Sequence, residues 1–62
     1  MNEYLKNLKR ELDEARLRLT RAIYAYATEP NQPNQEKMKS LQDEVFQLEI
    51  EYEDATRMAE VE

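Results

Sequence analysis

The sequence predicts an all-α fold, an antiparallel two-helix hairpin of coiled-coil type, and three observations carry that expectation. Apolar residues at Met1, Leu5, Leu8, Leu12, Ala15, Leu19, Ala22 and Tyr26 are spaced by alternating fours and threes. The same spacing returns at Met38, Leu41, Val45, Leu48, Tyr52, Ala55 and Ala59. Between the two runs lies Glu29-Pro30-Asn31-Gln32-Pro33-Asn34, which holds both prolines of the chain. A heptad keeps one apolar stripe on one face of a helix, and that stripe must be buried against another helix.

The first helix is expected over about residues 2–28, an interval without proline or glycine and rich in Leu, Ala, Arg, Lys and Glu. Pro30 sets its end, because the residue before a proline is pushed out of the helical region and Glu29 becomes a boundary. A loop over about 29–33 and a second helix over about 34–60 follow. Asn31 or Asn34 can cap that helix. The favoured arrangement puts the cap at Asn31 or Gln32 and Pro33 in the first turn, where its missing N–H costs little. The last few residues, Ala59 to Glu62, are expected to fray.

A short loop forces the helices antiparallel, so facing positions have numbers that add to about 64. Leu19 then faces Val45, Ala15 faces Leu48, Ala22 faces Leu41, Leu12 faces Tyr52 and Leu8 faces Ala55. Small residues repeatedly oppose large ones, as interdigitating layers require. Charge gives an independent check. Residues 1–28 carry six basic and four acidic side chains, net +2, whereas residues 29–62 carry three basic and ten acidic, net −7. In the same register Arg18 flanks Glu44 and Arg16 flanks Glu49, while Glu11 and Glu51 form an unfavourable pair.

Sixty-two residues make one small domain, 1–62, with stability too marginal for a single hairpin to hold alone. Without cysteine or histidine, neither a disulfide nor a structural zinc site can staple it. Association remains, and two hairpins packed together make a four-helix bundle with an enclosed core. The expected partners are therefore a second copy of the chain, as a homodimer or higher oligomer, and another protein. The opening residues Met1-Asn2-Glu3-Tyr4-Leu5-Lys6 hold no apolar run of signal-peptide or membrane-spanning length, which places the expectation on a soluble, cytoplasmic protein. A composition of 37% charged residues with no glycine would read as disorder in an aperiodic chain, but the sustained heptads override it.

Catalytic chemistry finds no residues to carry it. Ser40 is the only serine, it sits beside Lys39, and no glycine-rich loop exists to cradle a phosphate. The acidic run Glu49-Ile50-Glu51-Tyr52-Glu53-Asp54 invites a metal reading. However, a di-iron bundle needs Glu-x-x-His pairs and a calcium loop needs a glycine, so a solvated helix face is expected instead. The expectation is a non-enzymatic protein with no cofactor, no metal and no catalytic residue. Tyr4, Tyr24, Tyr26 and Tyr52 fall mainly on or beside the seams, where an aromatic body with a polar tip suits a half-buried edge.

The basic residues Lys6, Lys9, Arg10, Arg16, Arg18 and Arg21 of the first helix open an alternative, an RNA- or DNA-binding regulator using that helix's basic face. In architecture alone this resembles regulators of the Rop type, which are helical-hairpin dimers. The net charge of −5 disfavours nucleic acid as a partner. A further alternative is a small inhibitor that docks on an enzyme. The turn Pro30-Asn31-Gln32-Pro33 resembles the proline-bracketed turn of type III secretion needle subunits; the likeness covers four residues and does not extend to the acidic tail Ala59-Glu60-Val61-Glu62.

A second apolar set lies off the seams: Leu17, Ile23 and Tyr24 in the first helix, Phe46 and Ile50 in the second, with Met58 and Val61 further on. Leu17 with Tyr24, and Phe46 with Ile50, each stack on one face at helical spacing. Leu17, Tyr24, Phe46 and Ile50 are therefore the candidate protein interface, with Arg18, Arg21, Glu49 and Glu53 as its polar rim. The function expected is that of a structural or adaptor protein, such as an assembly factor, small chaperone or regulator, acting through helix-mediated binding and self-association.

Overall fold

In a computed structural model, which describes residues 3–61, helix α1 runs Glu3–Thr28 and helix α2 runs Gln32–Val61. The two helices pack along their length into a rod of 47 × 15 × 12 Å. Met1 at the head of the first seam, Asn2 at the expected start of the first helix, Glu62 and the side chain of Val61 lie outside the described residues.

The turn is tighter than the expected loop. The Glu29 N–H still donates to the Ala25 carbonyl at 2.9 Å, continuing the α1 ladder by one bond. The chain then reverses around Pro30, with the Asn31 N–H donating to the Glu29 carbonyl at 2.8 Å. A bond that skips one residue makes a three-residue turn, which suits the fixed backbone angle of proline. No residue among those described has a positive φ, so this reversal needs no glycine, and the sequence contains none.

Helix α2 begins at Gln32, two residues before the expected 34. Its cap is Asn31, whose Oδ1 accepts from the Asn34 N–H at 2.9 Å while its carbonyl accepts the Gln35 N–H at 3.0 Å. Pro33 then lies within the first turn, where its missing donor would have gone unpaired. Asn34 acts as a clamp across the turn: its side-chain amide donates to the Glu29 carbonyl at 2.9 Å and the Ala25 carbonyl at 3.3 Å. Both carbonyls already accept a backbone N–H, and this second bond to each ties the end of α1 to the first turn of α2. At the other end α2 is helical through Val61, one residue past the expected 60, since nothing from Gln35 onward breaks a helix.

The seams meet as the heptads require. Leu8, Leu12, Ala15, Ala22 and Val45 are buried, and Leu12, Ala15 and Val45 form a cluster against which Leu19, Leu48 and Tyr52 pack. Leu5, Tyr26, Met38, Leu41 and Ala55 are half-buried, and Ala59 near the open end is exposed. No large side chain is fully buried among the described residues. This is the thin core of two helices with no third layer.

Candidate protein-interaction surface

Two ion pairs orient the surface. Arg16 pairs with Glu49 and Arg18 with Glu44, both at 2.9 Å between the helices. Arg16 and Arg18 are two residues apart, about 200° around a helix, so the pairs mark opposite long edges of the hairpin. The register they set is the one that places Leu12, Ala15, Leu48 and Tyr52 in one cluster. All four partners stay about half exposed, so each pair contributes at most about 1 kcal/mol and serves mainly to select the register. Glu11 and Glu51, expected as an unfavourable pair, are both exposed to solvent.

Off the seams, the large apolar side chains are open. Leu17 is 51% exposed, Tyr24 72%, Phe46 59% and Ile50 41%. Helical spacing separates them into two strips. Leu17 and Tyr24 are turned about 180° from the α1 seam, and Ile50 about 180° from the α2 seam, with Phe46 beside it toward the Arg16–Glu49 edge. The strips therefore lie on the outer backs of different helices and face away from each other, so the four residues do not merge into one patch. Phe46 and Ile50, four residues apart, are neighbours on α2, whereas Leu17 and Tyr24 share the back of α1 two turns apart, about 10.5 Å along its axis.

The polar rim divides in the same way. Arg18 is engaged by Glu44, and Glu49 by Arg16. Glu53 accepts from Arg57 at 2.9 Å one turn along α2. Arg21, with Arg18 and Lys37, rims a groove of about 300 Å³ over Ala22, Ala25 and Leu41 on the Arg18–Glu44 edge. A second groove adjoins it at Arg18 and is bordered by Glu11, Glu14 and Glu44. Along this edge the charge changes from basic near the turn to acidic near the open end.

Three further exposed apolar residues belong to the surface. Ile23 is 45% exposed on the Arg16–Glu49 edge, one heptad beyond Arg16. Tyr4 and Met58 are exposed near the open end. Each directly precedes a seam residue, the position that flanks a heptad stripe, so heptad position is the sequence signal for both.

The basic residues of α1 are divided between its two edges, Lys6, Lys9 and Arg16 toward one and Arg18 and Arg21 toward the other. Arg16 and Arg18 lie on opposite edges, each already opposed by a glutamate of α2. Among the described residues no group of three or more carboxylates is placed to hold a metal ion, and no helix is long and apolar enough to cross a membrane. Compared with known proteins, the chain matches no family model, no curated protein and no solved structure.

Proposed function

We propose that this chain is a non-enzymatic structural or adaptor protein that self-associates, with two hairpins making an antiparallel four-helix bundle, and binds another protein through the outer face of a helix. The observation that carries the reading is the burial pattern. The heptad seams meet within the hairpin but leave large members half covered, and further large apolar side chains remain exposed off the seams. Isolated exposed apolar residues are ordinary, whereas strips at helical spacing are the anchors by which helices bind grooves and other helices. The thin core adds the pressure toward self-association. A nucleic-acid regulator is less well supported, because a phosphate-binding face needs clustered free cations and the arginines of α1 are divided between two edges.

The test is the double variant Leu17→Glu with Tyr24→Glu. Both side chains are on the back of α1, so helicity and Tm should remain those of the native chain. A stoichiometric protein partner captured by the native chain should be lost. Collapse of the fold would instead place these residues in a core, and a partner retained by the variant would remove the α1 strip from the interface.

A further inference from the structure

The Arg16–Glu49 edge is self-complementary in charge and carries exposed apolar side chains on both margins, and we infer that it is the face on which a second copy of this chain docks, related by a two-fold axis parallel to the helices. The inference rests on the self-association proposed above and names its surface and symmetry.

The α1 side of this edge follows from Arg16 by helical spacing: Lys9 and Ile23 one heptad away, Asp13 and Thr20 one turn away, and Lys6 one turn beyond Lys9. Its charged members are three basic residues, Lys6, Lys9 and Arg16, against one acidic residue, Asp13. On the α2 side, Glu49 is followed at the same spacings by Glu53, Thr56 and Glu60, and preceded by Phe46, Gln42 and Lys39. Its charged members are three acidic residues, Glu49, Glu53 and Glu60, against one basic residue, Lys39. One face thus carries a basic helix margin and, parallel to it, an acidic one.

A two-fold axis along the hairpin lays the basic margin of each copy on the acidic margin of the other. Heights along the rod are preserved by that axis, so residues whose numbers add to about 64 meet across copies as they do within one. Lys6 comes beside the second copy's Glu60, Lys9 beside its Glu53, and Arg16 beside its Glu49. Near the turn, Ile23 and Thr20 flank the second copy's Phe46. Ile23 and Phe46 are 45% and 59% exposed in the single hairpin, and this docking covers both, twice over. Each helix then has two antiparallel neighbours and both turns lie at one end, the arrangement of an antiparallel four-helix bundle.

The seam itself selects this edge over the other. Of the seam residues adjacent to Arg16 and Glu49, Leu12 and Val45 are buried, but Leu5, Leu19, Tyr26, Met38 and Tyr52 are large side chains that the single hairpin covers only in part. On the Arg18–Glu44 side, Leu8, Ala15 and Ala22 are buried, and only Leu41, Leu48 and the small Ala55 are partly covered. The same symmetry applied to that side would set Arg18 and Arg21 near the second copy's Glu44 but Glu11 and Glu14 against its Glu51 and Asp54, so attraction and repulsion cancel there, whereas Asp13 makes the one like-charge contact on the Arg16–Glu49 edge.

The test uses two charge-reversed chains and their mixture. Lys6→Glu with Lys9→Glu makes both margins of the face acidic; Glu53→Lys with Glu60→Lys makes both basic. Sedimentation and circular dichroism are read on the native chain, on each variant alone and on an equimolar mixture. The expected result is a native dimer, loss of the dimer in each variant at the concentration where the native chain is dimeric, and its return on mixing. Should a variant lose helicity once it is monomeric, helicity is expected to return in the mixture together with the dimer. Variants that remain dimeric alone would overturn the assignment of this face and leave self-association standing. A mixture that stays dissociated would overturn the pairing of α1 with the second copy's α2. A native chain that is monomeric at high micromolar concentration would overturn self-association and this inference together.

Discussion

Ala15 has no exposed surface, and its smallness lets α2 approach closely enough for Leu12, Val45 and Leu48 to gather around it. The few buried residues consequently carry most of the apolar stabilisation, and the solvent-facing ones carry little. Leu12→Ala should destabilise the fold by about 2–5 kcal/mol, combining lost transfer energy with an unfilled cavity. Asp43→Ala, on the exposed back of α2, should change unfolding stability by no more than about 0.5 kcal/mol. Denaturant unfolding of the two variants at one fixed protein concentration checks this, and equal losses would mean that the seam is misassigned.

At the scale of elements, the turn is held by two asparagines with different tasks. Asn31 satisfies an N–H in the first turn of α2, whereas Asn34 reaches back to two carbonyls at the end of α1. Asn31→Ala removes the cap and should cost about 0.5–2 kcal/mol, with Asn31→Ser largely retaining the native stability. Thermal melts of both variants decide it. If alanine and serine are equally harmful, the side-chain bond to Asn34 is not what stabilises the start of α2. The inter-helix ion pairs act differently: half exposed and screened by salt, they disfavour shifted registers more than they stabilise the correct one.

For the whole molecule, size governs behaviour. A two-helix rod 12 to 15 Å thick has no interior layer, and five residues are all that it buries among those described. A chain in that condition gains stability by mass action when copies bind one another, because association favours the folded state only. The melting temperature should therefore rise with protein concentration, while light scattering reports a mass above the 7.5 kDa of one chain. A single-chain mass together with a melting temperature independent of concentration would refute self-association at this scale.

The sequence alone determined the two helices, their antiparallel packing and the register, because each is written in local or periodic signals. Heptads mark which residues turn inward, Pro30 and the asparagines mark the reversal, and a short loop leaves one way for the seams to meet. The same arithmetic anticipated Arg16–Glu49 and Arg18–Glu44, since long side chains flanking two seams of known register have few other partners. Heptad position also indicates that Leu17, Tyr24 and Ile50 lie opposite the seams, and all three are exposed. Tertiary structure decided what one-dimensional spacing does not encode. The clamp from Asn34 to Ala25 and Glu29 spans the turn in space, so no periodicity announces it. The separation of the exposed apolar residues into strips on opposite backs, and the gathering of Ile23 and Phe46 on one edge, required the mutual orientation of two helices. A helical wheel assigns directions within each helix, and only their packing brings those directions into a common frame.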